Sequence, residues 1–435
     1  MTDTEPRKLK KEEVKYLALE GGGGKGITYL GAIKALETLG ILPINPESTN
    51  NVIKGVTGSS AGAITAFLLA MGLKSGEIEK VLNKMDFNSF LDDPRSGQTR
   101  AIFMNKKGWL EDDYLYLHPT NVRVGLQLCK KIMIGLGPII EKGIDFLADK
   151  PEDIRNQPIY KKIFEGDKTP NYLFNLLYDR GLFPGLTVRN FFKAIIGERF
   201  SKRALKEYGI LPVHQVLTFR NFKKWTGISL AITGTNVATG QPSLFSPENT
   251  PNFPVSEAVA ISMNFPFVFK PIWVDEIGQA PNNPYQFIPT QGFYSDGGIL
   301  NNIPIHAFDR DRKLNKNMLG LRLTSKPEEK QVDPKKQPNM VDYLRNPLLL
   351  VKEFLKNNIL EYPNLPELTI FKFLGSFVET LFYPQEKGQI RSEQEDLQTV
   401  NLDTYKLTTL DFNPPPNIRK EAIENAETKV MDYFK

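Results

Sequence analysis

The stretch LALEGGGGKGITYLGAI, residues 17–33, joins an apolar run to a helical pattern through four consecutive glycines and a lysine. The apolar run Val14–Leu19 predicts a β-strand. A helix is predicted from about Gly26 to Leu39, because apolar residues recur there at helical spacing. Ordering four glycines in a row costs conformational entropy, which indicates that a bound group approaches this backbone closely. The stretch therefore predicts a strand, a binding loop and a helix in succession.

A second strand–loop–helix unit follows directly. The short strand Val52–Thr57 leads into GSSAG at 58–62, and the apolar helix AITAFLLAM then ends at Gly72. Further strands are predicted at Ile228–Gly234 and around Phe293–Ser295. Two strand–loop–helix units in a row are typical of a parallel sheet covered by helices. The sequence therefore predicts the α/β class.

Composition and charge limit the classes of protein that fit the chain. One cysteine among 435 residues excludes an internal disulfide, and the net charge of +5 suits a weak attraction to anionic lipid. No aromatic RNA-binding motif accompanies that charge, so we expect no nucleic-acid partner. The N-terminal residues lack the apolar core of a Sec signal peptide, and no apolar stretch is long enough to span a bilayer. We expect a cytoplasmic protein, or one exported by a route other than Sec.

The glycine loop fits more than one kind of binding site. Gly21, Gly23 and Gly26 satisfy the G-x-G-x-x-G pattern of dinucleotide-binding proteins. Such sites need an acidic residue at the end of the second strand, where this chain has Thr57-Gly58-Ser59-Ser60. A P-loop is excluded because Lys25 is followed by glycine instead of serine or threonine. A nucleotide-binding protein therefore stays as an alternative, and a loop whose N–H groups bind one negatively charged oxygen is favoured.

The GSSAG segment matches the G-x-S-x-G nucleophile elbow, in which a serine lies on a sharp turn between a strand and a helix. Its middle residue, Ser60, precedes the helix, where the N–H groups and the helix dipole favour developing negative charge. Gly58 and Gly62 relieve crowding at the turn. Ser59 occupies a variable position of the motif, so Ser60 is the predicted nucleophile.

A serine hydroxyl needs a base, and the segment YSDGGILNNIPIHAF, residues 294–308, offers two candidates. Asp296 follows an aromatic strand, and the two glycines after it free the backbone. His306 would complete the order Ser60, Asp296, His306 of an α/β-hydrolase triad, although it follows a proline on a predicted helix. A carboxylate within hydrogen-bond reach of the serine can also act as the base directly. Both candidates stay open at this point.

Together, the glycine loop, the elbow and Asp296-Gly297-Gly298 resemble the three motifs of the patatin-like phospholipase family, in the order that the family has. Weaker similarity covers much of the remaining chain, in the segments 179–192, 226–246, 256–272 and 407–412. The resemblance implies a three-layer α/β/α fold with a mainly parallel central sheet and helical insertions.

The resemblance also implies a division of the chain. The catalytic core is expected at 12–323, with an irregular or helical insertion at about 86–180. The region 324–435 is expected to be helical and to return to the core at about 400–432. Two amphipathic stretches, Val122–Leu147 and Leu348–Leu381, either pack on the protein's own core or form a membrane-facing surface or lid.

The resemblance implies a catalytic dyad without histidine. Ser60 would be the nucleophile, Asp296 would accept its proton, and the N–H groups of Gly22, Gly23 and Gly24 would form the oxyanion hole. Four residues would support these motifs: Lys25, Gly58, Gly62 and Gly297. Lys25 would either add positive potential or brace the loop.

The expected reaction is hydrolysis of an acyl ester in a phospholipid or related lipid, of the phospholipase A or lysophospholipase type, through an acyl-enzyme. We expect transient contact with a membrane surface, no metal and no cofactor. The alternatives are an esterase that depends on His306 and a catalytically silent lipid-binding or interaction module. The sequence leaves open which lipid is cleaved and whether a partner protein activates the enzyme.

Overall fold

The computed structural model describes the residues 6–46, 48, 50–85, 89–91, 100–104, 110–114, 172, 175, 180–209, 217–274, 288–309, 313–324, 392–407 and 414–435. The chain divides into two compact units, and the described residues all belong to the first, which comprises Met1–Cys129, Asp167–Lys326 and Arg391–Lys435. The second unit, Lys130–Gly166 and Pro327–Ile390, lies outside the described residues. The two predicted amphipathic stretches also lie outside them, and the predicted domain boundaries stay predictions.

The described residues contain twelve strands. They are β1 (Tyr16–Leu19), β2 (Gly55–Gly58), β3 (Arg100–Met104), β4 (Leu110–Tyr114), β5 (Gly181–Phe183), β6 (Ser229–Asn236), β7 (Gln241–Phe245), β8 (Phe267–Phe269), β9 (Ile272–Val274), β10 (Gly292–Asp296), β11 (Met318–Thr324) and β12 (Thr399–Asp403). The α-helices in the same residues are α1 (Tyr29–Thr38), α2 (Ala61–Ala70), α3 (Ser75–Lys84), α4 (Leu186–Tyr208), α5 (Phe219–Thr226), α6 (Val255–Ser262), α7 (Glu393–Leu397) and α8 (Pro416–Tyr433).

Ten of these strands form one sheet in the order β12-β11-β1-β2-β6-β10-β9-β3-β4, with β7 also paired to β6. The five strands from β12 to β6 in this order pair parallel to one another. Beyond β6 the pairing is mixed, because β10 runs antiparallel to both β6 and β9. The short strands β5 and β8 pair separately. The predicted α/β class with a mainly parallel central sheet is confirmed.

The two faces of the sheet pack against different parts of the chain. On β1, Leu17 and Leu19 lie in the main apolar core, which also contains residues of α1, α2 and α8, whereas Ala18 lies in a smaller cluster. Successive side chains of a strand point to opposite faces, so this alternation separates the faces. The smaller cluster includes Ile305 and Phe308 of the segment that follows β10. Helices therefore cover one face, and the segment after β10 covers part of the other.

The last helix, α8, packs closely against α1. A Cβ atom built on Gly31 of α1 would lie 1.8 Å from the carbonyl oxygen of Ile423, which leaves no room for a side chain. On α8, three side chains are buried at helical spacing: Ala422, Ala426 and Val430. A glycine in the middle of α1 is therefore explained by the approach of a second backbone.

The structure shifts several predicted boundaries. β1 begins at Tyr16, and α1 begins only at Tyr29, because Gly23–Thr28 form a 3-10 helix first. The predicted helix around His306 is wrong: two successive turns form there, closed by bonds from the Ala307 N–H to the Pro304 oxygen and from the Asp309 N–H to the His306 oxygen.

Most of the segment 407–412, which resembles the last strand of the family, lies outside the described residues. The C-terminal strand that the structure describes is β12, which ends at Asp403 and pairs parallel to β11. Thus β12, which pairs with β11 in the described sheet, precedes the segment 407–412 in the chain.

Candidate active site

Ser60 lies on the sharp turn between β2 and α2. Its backbone has φ 49° and ψ −121°, a conformation that residues other than glycine rarely adopt. The flanking glycines make the turn possible: a Cβ on Gly58 would lie 2.2 Å from the Gly62 oxygen, and one on Gly62 would lie 2.3 Å from the Leu19 oxygen. The segment therefore has the strained strand-to-helix geometry of a nucleophile elbow.

A chain of hydroxyl groups holds the backbone of Ser60 in this conformation. The Ser60 N–H donates to the Oγ of Ser262, the last residue of α6, at 3.0 Å. The Ser262 Oγ lies 3.4 Å from the Oγ1 of Thr233 on β6, and that Oγ1 donates to the Gly58 carbonyl at 3.4 Å. The elbow is thereby tied to both α6 and β6.

The length of β6 places Asp296 beside the elbow. The last pair between β2 and β6 joins Gly58 to Ile232, and β6 continues beyond it to pair with β10. In that second pairing, Asp296 lies opposite Gly234, two residues beyond Ile232. Ser60 is likewise two residues beyond Gly58. The two side chains therefore lie at the same level, although they are far apart in the sequence.

Asp296 has the surroundings of a general base. Its side chain accepts the Gly298 N–H at 2.6 Å, and it lies close enough to the Ser60 side chain for that hydroxyl to lower its pKa. It is only 5% exposed, and burial raises the pKa of its carboxyl to about 7 against the opposing effect of these two groups. Gly297 has no room for a side chain, because a Cβ would lie 2.0 Å from the Thr233 Oγ1. A carboxylate that titrates near neutral pH and contacts a serine hydroxyl is suited to proton transfer.

The glycine loop lies directly against the elbow. A Cβ on Gly21 would lie 3.1 Å from the Cβ of Ser60. Further along the loop, a Cβ on Gly26 would lie 2.8 Å from the Cβ of Ala61, the first residue of α2. The loop that follows β1 and the turn that follows β2 are therefore in contact along their length.

Of the three predicted oxyanion residues, Gly22 caps a short helical segment, and Gly23 and Gly24 begin it. Gly23 has φ 54°, in the left-handed region that favours glycine, and begins the 3-10 helix, whose first bond runs from the Lys25 N–H to the Gly22 oxygen. The first N–H groups of such a segment have no partner within it. Here those groups belong to Gly23 and Gly24, so the loop presents backbone donors next to the elbow.

The comparison with known families follows the same segments. The family model described as patatin-like phospholipase matches residues 17–309, more than half of the chain. The chain belongs to the patatin-like phospholipase family.

Individual relatives are more distant. An uncharacterized protein, R571, of Acanthamoeba polyphaga mimivirus is 34% identical over 93 residues, which are 21% of this chain and 29% of that protein. Among solved structures, VipD from Legionella pneumophila has a TM-score of 0.42 and 19% identity, and the match covers 97% of this chain and 67% of VipD. The ExoU–SpcU complex from the type III secretion system of Pseudomonas aeruginosa has a TM-score of 0.40 and 19% identity, covering 99% of this chain and 53% of the matched chain. This chain thus spans less than a third of the mimiviral relative and about half of the chain matched in the ExoU–SpcU complex.

In this patatin-like protein, His306 does not join Ser60 and Asp296. Its Nδ1 lies 2.7 Å from the Asp309 carboxylate, and its Nε2 lies 3.0 Å from the Glu395 carboxylate. The hydrogen bond to Asp309, followed by the charges of both carboxylates, raises the pKa of His306. Both ring nitrogens are therefore occupied by carboxylates other than Asp296, and the triad order in the sequence has no counterpart in space.

Neither a metal site nor a membrane-spanning helix is found in the part of the chain that the structure describes. Among the residues that the structure describes, no group of three or more histidine, cysteine, aspartate or glutamate side chains could hold a metal ion. In the same part of the chain, each helix is too short or too polar to cross a bilayer.

Sequence reasoning missed two residues at the site. Ser262 and Thr233 hold the elbow, yet each is only one of at least two hydroxyl residues in its helix or strand. Both lie in segments that resemble the family, 226–246 and 256–272, but neither carries a local pattern that predicts a role. Only their hydrogen bonds to the elbow and to each other show what they hold.

Proposed function

We propose that the protein hydrolyses carboxyl esters of phospholipids, as a phospholipase A or lysophospholipase, through an acyl-enzyme on Ser60. The observation that carries this proposal is the position of the buried Asp296 carboxyl beside Ser60, which lies on a strained turn and lowers the pKa of that carboxyl. The adjoining glycine loop supports it, because donors for an oxyanion are needed within reach of the nucleophile.

In the first step, the Ser60 Oγ attacks the ester carbonyl while Asp296 takes its proton. Negative charge develops on the carbonyl oxygen, where the N–H groups of Gly22, Gly23 and Gly24 would donate to it. Each such preorganised donor is worth about 3–4 kcal/mol in the transition state. Asp296 then returns the proton to the leaving alkoxide, which departs as an alcohol and leaves the acyl group on Ser60.

In the second step, water attacks the acyl-enzyme and Asp296 accepts its proton. The free fatty acid leaves when the Ser60 oxygen takes that proton back. One carboxyl group thus acts twice as base and twice as acid. A pKa of about 7 suits both roles, because efficient general acid–base catalysis needs a pKa near the working pH.

The alternatives from other classes have less support. An esterase that depends on His306 needs a free ring nitrogen near Ser60, whereas both nitrogens contact Asp309 and Glu395. A catalytically silent module needs none of the strain at Ser60, and strained conformations persist where the surrounding structure enforces them. A nucleotide-binding site lacks an acidic residue after β2, where the elbow begins.

The test incubates the full chain with mixed phospholipid vesicles and identifies the released products by mass spectrometry. We expect release of fatty acid and lysophospholipid that disappears in Ser60→Ala. The matched control is Ser59→Ala, because the neighbouring Ser59 Oγ is buried without a hydrogen-bond partner among the described residues. Equal acyl release from Ser60→Ala and the parent chain would overturn the proposal.

We also propose that the enzyme meets its substrate at an anionic membrane surface through the C-terminal half of α4 and through α5. Leu205 and Tyr208 are 56% and 38% exposed there. Exposed cations lie on the same two helices: Arg199, Lys202, Lys206 and Arg220. Basic side chains near an anionic bilayer contribute about 1 kcal/mol each, and exposed apolar side chains can insert between headgroups.

The membrane proposal is tested with Lys202→Glu combined with Lys206→Glu. We expect lower activity on vesicles rich in phosphatidylserine and unchanged activity on a soluble ester. Lys80→Glu combined with Lys84→Glu is the matched control, because these exposed lysines have the same spacing on helix α3. Equal losses from the two pairs would show that only net charge matters and would contradict this surface.

A further inference from the structure

The loop after β1 and the loop after β10 are joined by one side chain, that of Asn302. Its Nδ2 donates to the carbonyl oxygen of Gly21 and to the Oε1 of Glu20, each at 3.2 Å. Its backbone oxygen accepts the Gly21 N–H at 2.9 Å. Both backbone polar groups of Gly21, the residue directly before the proposed oxyanion glycines, are therefore bound to Asn302.

Glu20 anchors this connection to the sheet. Its carboxylate is buried, with 3% of the residue exposed, and its Oε2 accepts the Leu323 N–H at 2.6 Å. Its backbone N–H donates to the Leu321 oxygen at 3.1 Å, and its carbonyl oxygen accepts the Tyr29 hydroxyl at 2.6 Å. Glu20 is thus fixed to β11 and α1, and Asn302 is fixed to Glu20.

The Asn302 amide also fills the space between the two glycine-containing loops. A Cβ on Gly21 would lie 2.4 Å from the Asn302 Oδ1, and a Cβ on Gly298 would lie 2.7 Å from the same atom. Gly298 is the residue whose N–H binds the Asp296 carboxyl. One amide group therefore contacts the loop of the proposed oxyanion hole and the loop of the proposed base.

We propose that Asn302 and Glu20 are positioning residues, which hold Gly21 so that the N–H groups of the following glycines point at the oxyanion beside Ser60. This rests on the proposed function above. Neither side chain contacts Ser60 or Asp296 in the bonds described, so both act through the backbone of the glycine loop. Preorganised donors are effective only when the surrounding structure fixes their direction.

The first test is Asn302→Ala, assayed on a soluble ester. We expect kcat to fall about 10–100-fold with KM unchanged, since a displacement of about 1 Å in a catalytic group has effects of this order. Titration with a fluorophosphonate counts the competent sites, so that kcat is expressed per folded enzyme. The matched control is Asn301→Ala, because Asn301 binds the Gly297 oxygen through its backbone N–H.

The second test exchanges the donor and acceptor of the Glu20–Asn302 bond. Asn302→Asp places a carboxylate against Glu20 and should lower kcat at least as far as Asn302→Ala does. Adding Glu20→Gln to Asn302→Asp lets the new amide donate to the new carboxylate. We expect kcat to recover several-fold relative to Asn302→Asp, but not to the parent value, because the bond to the Gly21 oxygen stays lost. A purely structural role predicts changes in melting temperature and in the number of competent sites, with kcat per site constant.

Three results would overturn the positioning role: kcat per site within about twofold of the parent for Asn302→Ala, an equal loss in Asn301→Ala, or no recovery in the exchanged pair. The proposed function fails by a different result, namely acyl release that does not depend on Ser60.

Discussion

Asp296 and His306 lie in one segment of chain, and the structure gives them opposite surroundings. Asp296 is buried against Ser60, and burial raises the pKa of its carboxyl to about 7. The side chain of His306 is 46% exposed between two carboxylates, which raise its pKa by stabilising the cation. A raised pKa makes a carboxylate a better base, whereas it makes a histidine less available as one. The same direction of shift therefore prepares Asp296 for proton transfer and removes His306 from it.

The largest expected effect comes from Asp296→Asn. The amide can still accept the Gly298 N–H but cannot take a proton, so we expect kcat to fall about 10³–10⁴-fold. Although this variant should lose activity, its folded state should be more stable than that of the parent. The native pKa lies above the unfolded value, so the ionised carboxylate destabilises the fold as pH rises from about 4 to beyond 7. The variant should melt at a higher temperature than the parent at pH 8, with a difference that shrinks toward pH 4.

Kinetics and thermal melting at pH 8, 6 and 4 check this prediction. Activity above a tenth of the parent value would remove Asp296 from the role of base. A lower melting temperature at pH 8 would show that the buried carboxylate stabilises the fold.

Gly62→Ala tests whether the dyad depends on the contact between β1 and the elbow. The added methyl group would lie 2.3 Å from the Leu19 oxygen and 2.6 Å from the Glu20 oxygen, so α2 and the end of β1 must separate. We expect about a 100-fold loss of kcat, because Ser60 moves relative to the glycine loop. Gly76→Ala on α3 is the control, because a Cβ there meets no atom within 4 Å. Equal kinetic effects in the two variants would argue against this geometry.

The dependence of kcat/KM on pH should show an effect of intermediate size. With a pKa of about 7, roughly 3% of Asp296 is ionised at pH 5.5 and roughly 90% at pH 8. The activity of a general base rises with its ionised fraction, so kcat/KM on a soluble ester should increase about 30-fold over this range. The midpoint should be the same in His306→Ala. A midpoint that moves in this variant would return His306 to the reaction.

The smallest effect is expected from His306→Ala itself. We expect kcat within about twofold of the parent, because the ring contacts Asp309 and Glu395 and not Ser60. Its native pKa is raised, so its stabilising effect is full below the unfolded value of about 6.5 and is lost as pH rises through the native value. The variant should therefore lower the melting temperature more at pH 6 than at pH 9. A larger loss at pH 9 would contradict these ion pairs.

Local patterns carried much of this fold in the sequence. Glycines and periodic apolar residues identify β1, α1, β2 and α2, because each of these elements is encoded within a few residues. The strain at Ser60 follows from the same short motif. The family, the α/β class and the mainly parallel sheet could therefore be predicted from the sequence alone.

The remaining features depend on contacts between distant segments. Nothing near Asp296 indicates that β10 runs antiparallel or that β6 extends beyond β2. Asn302 follows Asp296 closely in the chain, but its partners Glu20 and Gly21 come from the opposite end of the core. The helix expected at His306 is replaced by turns, because Pro304 and its neighbours close short loops instead. Tertiary pairing, which a single sequence does not display, decides each of these cases except the turns at His306, which local hydrogen bonds close.

Because β10 pairs with β6, the register of this pairing decides whether the Asp296 carboxyl reaches Ser60. Side chains alternate along a strand, so a slip of β10 by one residue would turn Asp296 to the opposite face of the sheet. A slip of two would restore the face but carry the carboxyl about 7 Å along the strand, out of reach of Ser60. The hydroxyl of Tyr294, bound to both backbone groups of Thr290, and the amide of Asn236, bound to Thr290 and Gln291, fasten the start of β10 against such movement. An inserted or deleted residue between Gly292 and Asp296 should therefore abolish catalysis as completely as removal of the carboxylate.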